Sequence, residues 1–416
     1  MLRRYPVLIA VVVAAGLAVG FFLGQRRPGA PATAATAVTG PGRAVRGLWV
    51  VRHELATPGS IDQVLATAQE VGATDLFVQV NGRGEAYYRS SLLPPASGID
   101  PGFDPLDYVL RRAKSKGLRV HAWINAFTAA SLSSTPEHPD HVLNRHPDWV
   151  TVDRDGRTLW EYSLEEAMAN VPARMLDPGL PGVQAFVFEA VMEVVERYPV
   201  DGIHLDYARY PSRRFGYHPE SVARFQAVYG FDPGRLEQDA AAFVAQNGWD
   251  AFDQRMTQWD RWRREQVTGL MQQIRQGLKE RRPGMLLSAA VHADIDDAVN
   301  NRLQDWPFWV RSGLLDFVVP MAYHRRPEPV AEQVAAAVSA SEGRTPVYAG
   351  LAAHLLTGDP AQLAIQAETA YAAGARGIVV FSHEVLAASP ELRSALTKTV
   401  ETAGGPAAGF RPGADR

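Results

Sequence analysis

The sequence predicts an α/β fold, specifically a TIM-like (β/α)8 barrel with insertions after its third and fourth strands. Two observations lead to this prediction: short β-rich runs alternate with amphipathic helical stretches, and about eight such runs occur, the number in a closed barrel. No glycine-rich phosphate turn follows the first run, which disfavours the competing open doubly wound sheet. The predicted strands are residues 46–52, 75–80, 119–125, 202–206, 286–292, 317–323, 347–351 and 377–382.

The segment before the barrel predicts export. Arg3 and Arg4 precede an apolar run over residues 6–24, and Arg26 and Arg27 follow it. Basic residues before an apolar run of about 20 residues are typical of a signal anchor or a signal peptide. We therefore expect the barrel in the cell envelope, outside the cytoplasm, either membrane-anchored or secreted. The predicted organisation is a signal anchor or signal peptide at 1–27, a flexible linker at 28–44, the barrel at 45–390, and the end of the last helix with a disordered tail at 391–416.

The stretches between the predicted strands have helical periodicity, as in Leu106, Val109 and Leu110. Two longer stretches, 127–180 and 217–283, follow the third and fourth strands and predict insertions on the face where a barrel builds its site. In the first insertion, Asp155 and Gly156 predict a hairpin turn. The second insertion carries Trp249, Trp259 and Trp262, which either form its own core or line a groove.

The composition excludes several classes of function. The formal net charge of −3 gives no electrostatic basis for binding nucleic acid. The chain has no cysteine, so disulfides, thiolate zinc sites and cysteine nucleophiles are excluded. We expect no cofactor, and no obligate protein partner is evident.

Polar side chains are predicted to converge at one end of the barrel. Side chains alternate along a strand, so Ile203 and Leu205 share one face while His204 and Asp206 share the other. The same rule groups Gln79 with Asn81, His121 and Trp123 with Asn125, Ser288 with His292, and Ser382 with Glu384 if that strand continues. The C-terminal ends of parallel strands meet at one end of a barrel, here termed the mouth. A carboxylate there, such as Asp206, is the default catalytic candidate.

The expected mouth combines carboxylates with aromatic rings and arginines, which is typical of a carbohydrate site. Glycoside cleavage needs two carboxyl groups, one protonated and one ionised, and burial raises the pKa of one of them. Asp206 is the first candidate, with a loop cap or a pair with Arg209 as its structural alternative. Glu384 and Glu85 compete for the second position; Glu384 could instead cap a helix or pair with Arg52, and Glu85 could be a solvated loop residue. The predicted substrate-binding residues are Arg83, Tyr87, Trp123, Asn125, His204, Tyr207, Arg209, His292 and Tyr323.

Metal-site and serine-nucleophile motifs are weak in this sequence. His121, His204, Asp206 and His292 could in principle surround one ion. The first strand, however, has no His-x-His pair, and no HExxH or GxSxG motif is present. We therefore predict no metal ligands.

Six motifs, in order along residues 45 to 385, resemble the glycosyl hydrolase-like 10 family, formerly a domain of unknown function. They are RGLWV (46–50), FVQVNGRGEAYY (77–88), GFDPLDYVL (102–110), GLRVHAWIN (117–125), MLDPGLPGV (175–183) and DGIHLDYARYP (201–211). The family includes bacterial envelope glycosidases that cut peptidoglycan strands stripped of their peptides. The resemblance implies a β/α barrel, glycosidase activity and a functional carboxylate at Asp206. Many members carry a second aspartate where this chain has Tyr207, and an aspartate where it has Glu85.

These observations lead to one main hypothesis and two alternatives. We expect an exported glycoside hydrolase that cleaves O-glycosyl bonds of a bacterial cell-wall glycan, with denuded peptidoglycan strands as the substrate. The alternatives are a non-catalytic glycan-binding barrel and a metal-dependent amide or ester hydrolase.

Overall fold

The structure, a computed structural model that describes residues 44–403, is a closed barrel of eight parallel strands. The strands of the chain are β1 (Val45–Val50), β2 (Asp75–Asn81), β3 (Arg119–Asn125), β4 (Thr128–Ala130), β5 (Arg174–Met175), β6 (Gly202–Asp206), β7 (Leu286–His292), β8 (Phe317–Met321), β9 (Tyr348–Ala352) and β10 (Gly377–Phe381). Around the barrel they run in the order β1-β10-β9-β8-β7-β6-β3-β2, while β4 and β5 form a separate antiparallel pair. The predicted barrel is confirmed, with its strand positions correct to within two residues.

Helices surround the barrel and fill both insertions. They are α1 (Pro58–Glu70), α2 (Pro105–Lys114), α3 (Val142–Arg145), α4 (Leu164–Asn170), α5 (Pro181–Arg197), α6 (Pro219–Tyr229), α7 (Pro233–Gln238), α8 (Ala240–Asn247), α9 (Trp249–Arg281), α10 (Trp306–Arg311), α11 (Pro327–Ala340), α12 (Ala361–Ala372), α13 (His383–Ala388) and α14 (Pro390–Ala403). The start of α2 illustrates how the local sequence determines where a helix begins. Asp104 accepts a hydrogen bond from Asp107 N at 3.1 Å, and Pro105 occupies the first helical position.

Aromatic side chains fill the barrel interior. Trp49, Phe77 and Phe317 lie in one buried cluster, and the Phe77 ring stacks on His121 with 4.6 Å between ring centroids. His121 Nε2 in turn lies 2.8 Å from Oδ1 of Asp75, the first residue of β2. His121 was expected among the polar groups near the mouth. Its position on β3 is too early for that, so it belongs to the opposite, N-terminal end of the barrel.

The first insertion lies between β3 and α5 and contains the predicted hairpin turn. Val152 and Thr158 form an antiparallel bridge, and Asp153 N donates to Arg157 O at 2.9 Å. Gly156 has φ +83°, a left-handed conformation that glycine adopts without strain. The turn at residues 155–156 is therefore confirmed.

The second insertion, α6 to α9, has a small core of its own. Trp259 and Trp262 stack with 5.2 Å between centroids, and Phe225 packs against both rings. These two tryptophans therefore serve the packing of the insertion. Trp249 differs, because 67% of it is exposed at the start of α9.

The chain turns helical directly after the last strand of the barrel. β10 ends at Phe381, Ser382 is the N-cap of α13, and Glu384 lies in the first turn of that helix. The prediction that Ser382 and Glu384 share one strand face is therefore wrong, because the chain turns helical before its side chains can alternate.

The predicted anchor (1–27), most of the linker and the tail after residue 403 lie outside the described residues. Within residues 44–403, no helix has the length and apolar character needed to cross a bilayer.

Candidate active site

Asp206 lies at the C-terminal end of β6, at the mouth of the barrel. It stands opposite Asn125 in the β3–β6 register, and Ala126 N donates to its carbonyl oxygen at 2.7 Å. Tyr207, the next residue, has φ +50°, an unusual left-handed conformation for a bulky residue. This turn directs Tyr207 N at the Asp206 carboxyl, with 2.6 Å between N and Oδ1. The carboxyl is therefore held by the main chain that immediately follows it.

Burial changes the acidity of Asp206. Only 7% of the residue is exposed, and this loss of hydration raises its pKa to about 6 from an ordinary value of 3.8. The Arg209 charge and the Tyr207 amide partly offset the rise. The buried Trp123 N–H also lowers the pKa, although no hydrogen bond of normal geometry forms to it. A carboxyl with this pKa can hold a proton in weakly acidic solution and release it within a reaction.

His204 lies deeper in the same strand and does not reach the mouth. It is fully buried, its Nε2 accepts from Trp49 Nε1 at 3.1 Å, and its Nδ1 lies 2.9 Å from Ser288 Oγ. Because Nε2 accepts, the ring proton is on Nδ1 and is donated to the serine. Burial lowers the pKa of His204, so the ring is neutral. The prediction that His204 binds substrate therefore needs correction, because both of its nitrogens are used inside the barrel.

The loop after β2, which carries Arg83 and Glu85, is fixed from three sides. Asn125 Nδ2 donates to Gly82 O at 3.0 Å, and Gly84 N donates to the Asn81 side chain at 3.1 Å. His141, an imidazole that the sequence did not single out, holds Arg83 O at 2.8 Å through Nε2. Asn125 is thus shared between this loop and the strand that pairs with β6, which places the loop close to Asp206.

Gly84 shows why glycine is required in this loop. Its φ is +74°, and a Cβ atom built there would lie 2.7 Å from the Nε2 atom of His141. The backbone of Arg83 can approach the imidazole only because this atom is missing. Glu85, the following residue, is half-buried and forms no ion pair within 4 Å among the described residues. Its charge acts on Arg52, Tyr87 and His141.

Three arginines lie at the mouth around Tyr207. The guanidinium of Arg209 stacks on the Tyr207 ring, 4.7 Å from its centroid, and the residue is only 6% exposed. Burial raises the pKa of the Tyr207 hydroxyl, and the charges of Arg52 and Arg83 partly offset that rise. Tyr87 lies beside Arg52, and its pKa is raised by burial. Three positive charges therefore act on the aromatic residue next to Asp206.

His292 and Tyr323 complete the wall of the mouth near β7 and β8. His292 Nδ1 lies 3.1 Å from Asp297 Oδ2, and burial together with Arg209 lowers its pKa to about 3. Burial and the charge of Asp206 raise the pKa of Tyr323, whose ring stacks on Phe381. The structure therefore brings both predicted residues into the electrostatic neighbourhood of Asp206 or Arg209.

Glu384 lies on a different part of the rim. β10 and β6 occupy opposite positions in the barrel order, and 60% of the Glu384 side chain is exposed. Its Oε2 lies 3.3 Å from His53 Nε2. Glu384 is therefore an exposed residue paired with His53, whereas Glu85 lies on the loop that Asn125 and His141 hold in place.

One acid–base pair at the rim had no indication in the sequence pattern. Glu54 follows β1 and pairs with Nδ1 of His383, while Nε2 of that histidine is buried with no hydrogen-bond partner among the residues that the structure describes. A second buried carboxylate, Asp177, binds Thr151 Oγ1 at 2.8 Å and Ser221 Oγ at 3.1 Å. Burial raises the pKa of Asp177. Asp177 joins the two insertions, and it lies within the sequence motif MLDPG.

In the part of the chain that the structure describes, no three His, Asp or Glu side chains are grouped as metal ligands.

A comparison with known families agrees with this geometry. The profile of the family Glycosyl hydrolase-like 10 matches residues 44–371, most of the chain and all but the last strand of the barrel. The chain belongs to this family. The Glycosyl hydrolase-like 10 assignment confirms the resemblance carried by the six sequence motifs.

Two curated relatives of this chain are distant in sequence and longer. The chain is 27% identical over 285 residues to glycosyl hydrolase DigH of Escherichia coli strain K12, which covers 61% of this chain and 55% of DigH. It is 25% identical over 284 residues to glycosyl hydrolase YngK of Bacillus subtilis strain 168, which covers 63% of this chain and 48% of YngK. The chain thus spans about half the length of these relatives.

Solved structures share the fold of this Glycosyl hydrolase-like 10 chain. The glycoside hydrolase domain of PgaB from Bordetella bronchiseptica superposes with a TM-score of 0.63 at 19% identity, covering 86% of this chain and 99% of that domain. The catalytic domain of a β-amylase from Paenibacillus polymyxa gives a TM-score of 0.58 at 13% identity, with 87% and 99% covered. At these identities the likeness establishes the barrel fold alone.

Proposed function

We propose that this protein is an exported glycoside hydrolase that cleaves a bacterial cell-wall glycan, namely peptidoglycan strands without their peptides. The observation that carries the proposal is Asp206, a buried carboxyl with a pKa raised to about 6, at the mouth of a barrel among aromatic and arginine side chains. Family membership supports the reaction class. The wall glycan is proposed because the N-terminal sequence predicts export, and wall polymers are the glycans found there.

Asp206 is the proposed general acid. A glycosidic oxygen needs a proton as its bond to the sugar breaks, and an acid with a raised pKa can supply that proton. The Tyr207 amide, 2.6 Å from Oδ1, fixes the orientation of the carboxyl. Because the amide occupies Oδ1, Oδ2 is the oxygen left to carry the transferred proton.

Glu85 is the proposed second carboxylate, acting as nucleophile or base. It lies on the loop that Asn125 and His141 hold in place, and Arg52 provides positive charge beside it. Its loop follows β2, two strands from β6 in the barrel order. A rigid loop is important here, because the separation of the two carboxyl groups determines whether a glycosidase retains or inverts configuration.

The test is digestion of purified denuded glycan strands, followed by the release of reducing ends. The wild-type protein is expected to cut the strands, while Asp206→Asn and Glu85→Gln are each expected to lose at least a hundredfold in kcat/KM. Glu384→Gln, an exposed carboxylate on the opposite rim, is the matched control and is expected to retain activity. Folded wild-type protein that binds the strands and leaves them uncut would instead identify a non-catalytic glycan-binding barrel.

A further inference from the structure

Asp177 is a fully buried carboxyl in the first insertion that the proposed acid–base chemistry does not use. Its Oδ2 accepts from Thr151 Oγ1 at 2.8 Å, and its Oδ1 accepts from Gly179 N at 2.8 Å and from Ser221 Oγ at 3.1 Å. A Cβ atom built on Gly179 would overlap Ser221 Oγ, so glycine is needed for α6 to approach this carboxyl. The carboxyl therefore fastens α6 of the second insertion to the first.

Thr151 connects Asp177 to the loop that follows β6, residues 207–218. While its hydroxyl donates to Asp177, its oxygen accepts from Gly216 N at 3.2 Å, and the same N–H donates to Val152 O at 3.0 Å. Gly216, with φ +101°, lies against the ring of Tyr210, since a Cβ atom built on it would be 2.6 Å from Tyr210 Cε1. Successive contacts thus lead from Asp177 to a residue of the loop after β6.

Tyr210 is the point at which this loop is fixed in the interior. It is fully buried, and its main-chain N donates to Arg302 O at 3.1 Å. Its hydroxyl is buried with no hydrogen-bond partner among the described residues, and burial together with the charge of Asp177 raises its pKa. A buried hydroxyl without a partner is unfavourable. The ring therefore keeps this position only while its neighbours, Gly216 among them, are fixed.

We propose that Asp177 is a positioning residue for Asp206. It acts through Thr151 and Gly216 to keep Tyr210 packed, and Tyr210 holds the loop whose first amide binds the Asp206 carboxyl at 2.6 Å. Release of the loop would admit water to Asp206 and remove the burial that raises its pKa. The role of Asp177 in cleavage rests on the proposed function, whereas its effect on the burial of Asp206 does not.

Charged and titratable groups interact with both carboxyls. Those that interact with Asp177 are His218 and Tyr210, and Arg224 and Arg263 act on the tyrosine. Those that interact with Asp206 are Arg209, Tyr207 and Tyr323. Among the described residues, Asp177 is not one of the charges that shift the pKa of Asp206. A change at Asp177 therefore reaches Asp206 through the loop rather than through its charge.

The experiment measures the acidity of Asp206 directly, by carbon-13 NMR of protein labelled at the aspartate carboxyl carbons. The Asp206 signal is the one that Asp206→Asn removes, and in the wild-type protein it is expected to titrate at about 6. Asp177→Asn and Thr151→Val are each expected to lower this midpoint by at least about half a pH unit, because a loosened loop hydrates the carboxyl. Thr151→Val keeps the Asp177 charge and removes only the connecting hydroxyl.

Thr345→Val is the matched control. Thr345 is 4% exposed, its Oγ1 donates to Val310 O at 3.0 Å, and it precedes β9 at the opposite end of the barrel. This variant is expected to leave the Asp206 midpoint unchanged. A midpoint lowered by Asp177→Asn but not by Thr151→Val would assign the effect to charge and overturn the inference. Unchanged midpoints in both variants, or an equal shift in the control, would also overturn it, and Thr151→Val decides alone if Asp177→Asn does not fold.

Cleavage of denuded strands provides a second readout. Thr151→Val is expected to lower kcat/KM at pH 8 by at least about threefold, the change that half a pH unit produces above the pKa of the acid. KM should stay unchanged, because Thr151 and Asp177 are fully buried and cannot contact substrate. A lowered NMR midpoint with the wild-type profile of kcat/KM would refute the role in cleavage. If the wild-type protein cuts nothing, the proposed function fails, and the NMR midpoints still decide whether Asp177 positions Asp206.

Discussion

Replacement of Asp206 by asparagine is expected to stabilise the folded protein at neutral pH while abolishing cleavage. The side chain is almost completely buried, and in its ionised form it lacks the hydration it has in the unfolded chain. Asparagine has nearly the same shape, remains neutral, and can still accept the Tyr207 amide hydrogen bond. The variant therefore removes a buried charge without opening a cavity.

The magnitude follows from the pKa. A rise from 3.8 in the unfolded chain to about 6 in the folded protein corresponds to about 3 kcal/mol, at 1.4 kcal/mol for each tenfold change in acidity. The folded pKa is raised, so the unfolded chain loses the proton first as pH increases. The stability contributed by the protonated form is complete below pH 3.8, declines between pH 4 and 6, and is absent above that range. Asp206→Asn should therefore match the wild-type stability near pH 4 and exceed it by about 3 kcal/mol at pH 8.

Urea denaturation at pH 4 and pH 8 measures this difference as a change in midpoint at constant slope. Glu384→Gln is the matched control, and because this glutamate is mostly exposed its stability should stay within about 0.5 kcal/mol of the wild type at both pH values. If Asp206→Asn has the same effect on stability at pH 4 as at pH 8, or destabilises the protein at pH 8, burial of the carboxyl is not the cause of the raised pKa of Asp206.

Three further predictions concern the site and its loop. If Asp206 is the general acid, kcat/KM should fall about tenfold per pH unit above pH 6, and a rate that stays constant to pH 8 would contradict this role. Glu85→Gln should lose at least a hundredfold in kcat while Glu384→Gln keeps it, and the reverse result would move the second acid to the opposite rim. Gly84→Ala should cost about 2 kcal/mol by urea denaturation, because φ is +74° and its Cβ would meet an imidazole nitrogen at 2.7 Å. Gly98→Ala, with φ +81° and open space around it, should cost less, so equal costs would assign the effect to backbone strain alone.

The barrel could be predicted because strand and helix periodicities are local. The alternation in GIHLD placed Asp206 at the mouth on the inner face, and the structure confirms that position. The depth at which a side chain lies along the barrel axis, by contrast, is not determined by the local sequence pattern. His204 and His121 obey the same alternation as Asp206, yet one is bonded on both sides in the interior and the other lies at the opposite end.

Contacts between elements distant in sequence could not be predicted. His141 lies 58 residues from Arg83 and holds its carbonyl oxygen, and no sequence spacing indicates that contact. Glu54 and His383 meet only because barrel closure makes β1 and β10 neighbours. The expected strand position of Glu384 failed for a related reason. The chain enters α13 directly after Ser382, and nothing in the local pattern marks that point.

The residue after Asp206, Tyr207, affects which element can supply the second proposed acid. Residue 207 follows Asp206 directly and carries no acid, and its ring lies under the Arg209 guanidinium at 4.7 Å. The second acid must therefore come from another element, for which Glu85 is the proposed residue. Asn125 connects the two, because its side chain binds Gly82 O in the Glu85 loop and its backbone pairs with Asp206. We therefore expect Asn125, rather than residue 207, to control the separation of the two proposed acids.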